Sequence, residues 1–313
     1  MIISIGTALT PSINYNSPGE LRTFLVQKGL GMRKKFGQNF LINPSARSRL
    51  LDGLDMKSGD EVWEVGPGLG AMTAGLLERG GRVTAFEIDP AFSGILRDMF
   101  APAFSGNCLR LIEGDVLKTW PAHRTDPGNT PLFMGNLPYN IAAVLMGDFI
   151  EKGMYFRRMV LTVQREVALR MAALPGSEHY SSFSVLCSSA YKVTPLLIIK
   201  RSSFFPVPRV DSQGVRLDLL SPPEKRSVLF YPLVRALFSS RRKTIRNTLS
   251  AFAASVIIKP EADVREKPRF KAAELAAEAL ARGNISDSRR AETLEVHEFA
   301  ALAVFLEELI LNG

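Results

Sequence analysis

The chain has 313 residues, 46% of them hydrophobic, and a formal net charge of +8 from 39 Lys and Arg against 31 Asp and Glu. That length and apolar content can fill cores for about two domains, and no apolar run approaches the roughly 18–20 residues of a membrane-spanning helix, which excludes a disordered chain and an integral helical membrane protein. Two cysteines, Cys108 and Cys187, and three scattered histidines, His123, His179 and His297, exclude a disulfide framework and give no metal-ligand spacing.

We therefore expect inert thiols and no metal. Residues Met1 to Thr10 lack the basic start and small-residue cleavage site of a secretory signal, so a cytoplasmic protein is expected. The positive charge points to a polyanionic partner.

Residues 1–31 read as an N-terminal extension, irregular apart from an amphipathic stretch near Glu20 to Lys28, with no assigned role. Short Val-, Ile-, Leu- and Phe-rich runs follow at 61–65, 82–88, 108–113, 131–135, 158–163, 184–200 and 214–220, and read as strands buried on both faces. Helical patterns at 69–78, 90–99, 141–151 and 165–173 lie between them. The alternation predicts a doubly wound α/β sheet over residues 32–220.

Ser221-Pro222-Pro223 reads as a linker, and the remainder, 221–313, as a small all-α domain with helices at 227–239, 241–254, 270–282 and 296–311. Basic residues cluster at Arg33, Lys34 and Lys35, and again at Arg241, Arg242, Lys243 and Arg246. In the second cluster Ile245, Leu249 and Phe252 recur at helical spacing and leave Lys243 and Arg246 off the apolar stripe. Both clusters are candidate phosphate contacts.

Where the first long strand ends, Glu64-Val65-Gly66-Pro67-Gly68-Leu69-Gly70 hands over to a helix, and glycines there let the backbone approach a ligand. The next strand ends in Phe86-Glu87-Ile88-Asp89, with Glu87 placed 21 residues after Gly66, the distance at which an acid grips ribose hydroxyls. Asp115, past the third strand, suits a hydrogen bond from an adenine amino group. Gly66, Gly68 and Ala71 also fit a dinucleotide pattern, so an NAD enzyme is a rival reading.

The fourth strand ends in Gly135-Asn136-Leu137-Pro138-Tyr139-Asn140. An exocyclic adenine nitrogen is a weak nucleophile because its lone pair is delocalised into the ring. Methylating it calls for acceptors that hold both N–H groups and favour the attacking geometry. The Asn136 side-chain oxygen and the Leu137 carbonyl can be those acceptors. Pro138 fixes the turn, and Tyr139 offers a stacking face worth about 1–3 kcal/mol per base, which offsets much of the cost of unstacking it. An amide nitrogen beside a cofactor would make similar demands.

Seven blocks in this order give the chain a specific resemblance. They are Lys35-Phe36-Gly37-Gln38-Asn39-Phe40-Leu41, the Glu64–Gly70 turn, Phe86–Asp89, Gly135–Ile141, Val163-Gln164-Arg165-Glu166-Val167, Phe204-Phe205-Pro206-Val207-Pro208-Arg209-Val210-Asp211-Ser212 and Arg241-Arg242-Lys243-Thr244. From about Met32 to Leu309 the sequence closely resembles the ribosomal RNA adenine N6,N6-dimethyltransferase family, and within it the bacterial small-subunit enzymes.

The resemblance implies a seven-stranded class I (Rossmann-like) methyltransferase sheet followed by a small all-α C-terminal domain that binds RNA. It implies S-adenosyl-L-methionine as cofactor, with Asn39 and Leu41 beside its methionine portion, Gly66 approaching by backbone, Glu87 on the ribose, Asp115 on the adenine, and Asn136 shared between cofactor and target. Tyr139 and Phe204 would sandwich a flipped adenine. The reaction implied is in-line methyl transfer, twice on each of two adjacent adenines near the 3′ end of small-subunit RNA, with positioning supplying most of the rate. The implied partner is a pre-assembled small ribosomal subunit, met by a monomer.

Two departures from the family pattern stand out: Tyr180 is followed by Ser181 where a glycine is usual, and Ala142-Ala143-Val144 replaces a more polar stretch. A large-subunit RNA methyltransferase would share the cofactor motifs, but Leu137 and the Arg241–Arg246 cluster favour the small-subunit reading. A non-catalytic ribosome-assembly factor would not need Glu87, Asp115, Asn136 and Tyr139 intact, and an NAD enzyme leaves Asn136 to Tyr139 unexplained.

Overall fold

The computed structural model describes residues 13–30, 38–124, 129–137, 141–220, 226–240, 242–257 and 268–311. In chain order the first elements are α1 (Pro18–Gln27), β1 (Phe40–Leu41), α2 (Pro44–Gly53), β2 (Glu61–Val65), α3 (Ala71–Glu78), β3 (Arg82–Glu87), α4 (Pro90–Met99), α5 (Ala101–Ser105), β4 (Leu109–Glu113) and α6 (Val116–Thr119). They continue with β5 (Leu132–Asn136), α7 (Ala142–Glu151), β6 (Arg158–Gln164), α8 (Arg165–Met171), α9 (Ser182–Ala190), β7 (Tyr191–Ile199), β8 (Phe204–Phe205) and β9 (Ser212–Leu219). Four helices complete the chain: α10 (Phe230–Phe238), α11 (Ile245–Ile257), α12 (Pro268–Arg282) and α13 (Val296–Leu311).

Seven strands form one sheet in the order β4-β3-β2-β5-β6-β9-β7. β2 to β6 pair in parallel, and β9 runs antiparallel to β6. Alternation along β2 explains why the strand is apolar throughout. Val62 joins an aliphatic core with Leu50, Leu76, Val83, Leu132 and Val160. Trp63 points the other way, its ring 4.9 Å from that of Phe86 and 5.4 Å from that of Phe156. Both faces are covered, as parallel sheets require.

The strand order reverses beside β2, whose neighbours are β3 on one side and β5 on the other. Crevices for ligands open at the carboxyl ends of strands at such a switch point. The register aligns Val65 with Phe86 and with Gly135, so the ends of the three motif-bearing strands converge there.

The run 184–200 is not one strand. Residues Ser182–Ala190 form α9, and only Tyr191–Ile199 form β7. Seven of the nine α9 residues are buried, so the segment lacks the polar stripe that distinguishes a helix from a strand. A capping box between Ser181 and Ser184 starts it, with the Ser181 N–H donating to Ser184 Oγ at 3.0 Å.

The chain divides into two compact units. A sheet unit comprises Met1–Ala168 and Lys192–Leu219, and a helical unit comprises Leu169–Tyr191 and Leu220–Gly313. The helical unit is thus assembled from two segments, whereas the sequence patterns place 32–220 together. Its core packs Leu233, Leu237, Leu249, Phe299, Leu302 and Leu306, and the Tyr180 hydroxyl donates to the Leu294 carbonyl at 2.8 Å. No helix among the described residues is long and apolar enough to cross a membrane.

Candidate active site

The chain leaves β2 through a turn in which Gly66 (φ 73°) and Gly70 (φ 84°) lie in the left-handed region, where a Cβ is strained. Gly66 carries its N–H to the Phe86 carbonyl at 3.0 Å. Gly70 caps α3, and a Cβ there would overlap the Phe100 ring. The turn therefore holds bare backbone against the head of α3.

A pocket opens over this turn, lined by Asn39, Leu41, Gly66, Glu87 and Asn136 together with Gln38, Phe40, Glu64, Leu69, Tyr15 and Leu21. Five of the six residues expected at the cofactor are thus brought together. Asp115 is not among the lining residues. It stands half-buried past β4, where its Oδ1 accepts the Leu117 N–H at 3.0 Å and caps α6.

Two buried carboxyls face this pocket. Glu87 Oε2 accepts the Gly68 N–H at 3.1 Å, and its Oε1 accepts the Asp89 N–H at 2.8 Å, so both oxygens are oriented by main chain. Burial is the largest influence and pushes the Glu87 carboxyl up to about 7; the main-chain donors oppose it and Asp89 adds to it. Glu64 is also pushed up to about 7, by burial first and by Glu87 besides, against the pull of Thr73, whose hydroxyl donates to Glu64 Oε2 at 2.7 Å. Glu64 opens the Glu64–Gly70 block in the sequence, but that pattern assigns it no role, since the glycines carry the motif.

Asn136 ends β5 beside Thr162 of β6. Its Nδ2 donates to the Asn39 carbonyl at 2.9 Å, and its Oδ1 accepts from no described residue. Leu137 is buried, and its N–H donates to the Thr162 carbonyl at 3.2 Å. The roles expected of Pro138 and Tyr139, of Arg33, Lys34 and Lys35, and of Arg241 lie outside the described residues.

Phe204 does not present an open ring. It is 2% exposed, opposite Leu41 in the antiparallel β1–β8 pair, and joins the aliphatic core behind that pair. Arg242 and Lys243 are exposed but precede α11, which starts at Ile245 and not at 241, because the Ile245 N–H is taken by the Arg289 carbonyl at 2.7 Å. Arg246 pairs with Asp287 at 3.1 Å. Cys187 is buried, which pushes its thiol up, and Cys108 is half-buried.

The N-terminal segment contributes what the motifs did not reveal. Ser17 caps α1 through the Glu20 N–H at 3.2 Å, and Leu21 and Leu25 pack with Leu69, Phe92 and Ile95. Burying two such leucines contributes about 1.5–3 kcal/mol each. The Tyr15 hydroxyl donates to the Leu69 carbonyl in the glycine turn at 2.8 Å. Arg47 donates to the Leu41 carbonyl at 2.7 Å and also to Asn16. The segment thereby forms one wall of the pocket. Its sequence signal was the Ser17-Pro18 pair, a helix N-cap followed by proline.

A mostly parallel seven-stranded sheet with an antiparallel strand near one edge, and a glycine-turn pocket at its switch point, defines a class I, Rossmann-like methyltransferase. The chain belongs to the ribosomal RNA adenine dimethylase family, whose model it matches over residues 29–272. It is 41% identical over 306 residues to the ribosomal RNA small subunit methyltransferase A of Treponema denticola, covering 97% of this chain and 99% of that one. The protein of the same name from Borreliella burgdorferi is 40% identical over 80% of this chain and 86% of its own.

Among solved structures, a dimethyladenosine transferase from Plasmodium falciparum superposes with a TM-score of 0.69 at 26% identity, over 85% of this chain and 97% of that one. The 23S rRNA methyltransferase ErmE shares the fold, with a TM-score of 0.58 at 20% identity over 85% of this chain and 99% of that one.

Proposed function

We propose that the protein transfers methyl groups from S-adenosyl-L-methionine to N6 of two adjacent adenines near the 3′ end of small-subunit ribosomal RNA, two methyls to each, during small-subunit assembly. It works in the cytoplasm as a monomer on a partly assembled subunit. The observation that carries this reading is Asn136. A side-chain amide whose nitrogen is committed, and whose oxygen accepts from no described residue, lines the glycine-turn pocket in a chain of the adenine dimethylase family.

The residues present fit the cofactor. It is a ribonucleoside bearing a sulfonium and an ammonium, and the pocket offers two carboxyls poised near neutrality with glycine backbone between them. When bound, the cofactor supplies an electrophilic methyl group. Glu87, held by two main-chain N–H groups, would accept the ribose hydroxyls. Glu64 would add negative charge to a buried site, where charge interactions are strong. Asn39, Leu41 and Gly66 would bound the cofactor, and Asp115, beyond the lining residues, would meet its adenine through the oxygen that does not cap α6.

Asn136 Oδ1 would accept one N6 hydrogen of the target adenine and the Leu137 carbonyl the other, directing the nitrogen lone pair along the line of attack. Tyr139 would stack on the base, and Phe204 would support the wall from behind Leu41. The product nitrogen sheds its proton readily, so holding and orienting the base supply most of the rate.

Incubating the protein with unmethylated small subunits, large subunits and labelled S-adenosyl-L-methionine tests the reading. Label in small-subunit RNA alone supports it. Label in large-subunit RNA, or none beside an active control enzyme, overturns it.

A further inference from the structure

Resting on that reading, we infer that Arg22, Arg165, Lys200, Arg201 and Arg209 form an RNA-contacting rim on the sheet unit, which grips the phosphates flanking the target adenine. These residues come from four stretches of chain. Arg22 lies on α1, Arg165 opens α8, Lys200 and Arg201 follow β7, and Arg209 lies between β8 and β9.

Asp211 gathers three of those stretches. Its Oδ1 accepts the Arg201 main-chain N–H at 2.9 Å, and its carbonyl accepts the Arg165 main-chain N–H at 3.2 Å. Arg209 is two residues before it. The Arg22 guanidinium stands 5.6 Å from the centre of the Phe205 ring, at the start of the same loop.

The five side chains are exposed, and none makes an ion pair with an acid among the described residues. Asp211 spends its Oδ1 and its carbonyl on main chain, and Glu166 beside Arg165 bridges to none of the five. Elsewhere on this unit Arg79, Arg82, Arg97, Arg157, Arg158 and Arg216 each hold a carboxylate, while Arg49, Lys57, Lys118 and Lys192 are exposed without an ion pair among the described residues and are spread along the chain. What sets the rim apart is that its unpaired cations are gathered about one loop through Asp211.

Gathered cations repel one another, a cost that an anionic partner offsets. Between them Val207 and Val210 are 60% and 44% exposed, apolar contacts of the kind a sugar or base can cover.

The position selects nucleic acid over other polyanions. β8 pairs with β1, Phe40 opposite Phe205 and Leu41 opposite Phe204, and Phe40 and Leu41 line the cofactor pocket. The rim therefore lies one strand from the place where methyl transfer would occur. A strand that delivers a base there brings its neighbouring phosphates within reach of these cations. The rim belongs to the sheet unit, whereas Arg242, Lys243 and Arg246 belong to the helical unit, and single-stranded RNA near the target is the rim's ligand.

The test uses a triple variant, Lys200→Ala with Arg201→Ala and Arg209→Ala, and measures binding to naked small-subunit RNA and to intact unmethylated subunits across a salt series. Arg82→Ala, at the opposite end of its strand from the pocket, is the control. In the triple variant affinity should fall by about tenfold or more, and the slope of log affinity against log salt should become shallower by about 2–3. Cofactor affinity and melting temperature should match wild type, and Arg209→Lys should keep the wild-type slope.

Wild-type affinity and slope in the triple variant would overturn the rim. Loss confined to intact subunits, with naked RNA bound equally well, would assign these residues to a ribosomal protein and overturn it too. Failure of the wild-type protein to label RNA, with the triple variant still weakened in RNA binding, would instead sink the proposed reaction and leave the rim standing.

Discussion

The Asn136 side-chain amide donates to the Asn39 main-chain carbonyl across 2.9 Å, and that bond decides which end of the amide remains for a substrate. A carbonyl only accepts, so the nitrogen is committed and the oxygen is left as an acceptor. The same bond ties the end of β5 to the segment beside β1, both of which line the pocket. Asn136→Ala should lower kcat by about 10²–10³-fold, the scale of losing one preorganised hydrogen-bonding group, while the protein still folds. Wild-type turnover in this variant would remove Asn136 from the reaction.

Cofactor binding should depend on pH through Glu87. The free protein holds this carboxyl up to about 7, and accepting two ribose hydroxyls favours its ionised form. Below pH 7 binding must therefore release a proton, and affinity should weaken by up to about tenfold per pH unit for this one group as pH falls. It should level off above 7. Calorimetry in buffers of different ionisation enthalpy reads the released proton directly, and Glu87→Gln should abolish its share. An affinity independent of pH between 5.5 and 8 would contradict the assignment.

The same two carboxyls should tilt the stability of the free protein. Glu64 and Glu87 both titrate higher when folded than when unfolded. Their contribution is fully present below about pH 4.5 and is lost as pH rises through 7. Glu64→Gln should flatten that decline. Thermal unfolding of wild type and variant at pH 6 and pH 8 measures it, and an equal difference between the two proteins at both pH values would refute it.

Tyr15 should matter to binding more than to turnover. Burial raises its phenol pKa, so it remains a donor to the Leu69 carbonyl across the working range. Tyr15→Phe should weaken cofactor binding by about threefold to tenfold, the value of one hydrogen bond, with kcat at saturating cofactor close to wild type. A fall in kcat without a change in cofactor affinity would place Tyr15 elsewhere in the mechanism.

Gly70 is a structural test of the turn. Gly70→Ala forces a Cβ into left-handed backbone and against Phe100, a combination that should cost about 2–4 kcal/mol. The melting temperature should drop by roughly 5–15 °C. An unchanged melting temperature would mean that the turn relaxes without cost.

The central strands could be read from the sequence because they are buried on both faces, and the motifs at their ends sit where a switch point gathers them. The readings at Gly66, Glu87 and Asn136 rest on that, since the three residues line one pocket. What escaped was set by contacts distant in sequence. α9 looked like strand because it is buried almost all round. The pocket wall built by Tyr15 and Leu21 depends on contacts with Leu69, Phe92 and Ile95, which no local pattern near residue 15 announces. α2 was also missed, although Asn43-Pro44 carries a cap signature, with Asn43 Oδ1 accepting the Ala46 N–H at 3.0 Å.

The proposed dimethylation is tested most directly by counting product nucleosides. Small subunits lacking the modification are incubated with the protein and S-adenosyl-L-methionine, and their RNA is digested and quantified by mass spectrometry. The expected result is two N6,N6-dimethyladenosines per small subunit, with monomethyl product only in transit. Unmodified adenosine at completion, or methyl groups on any other nucleoside, would contradict it.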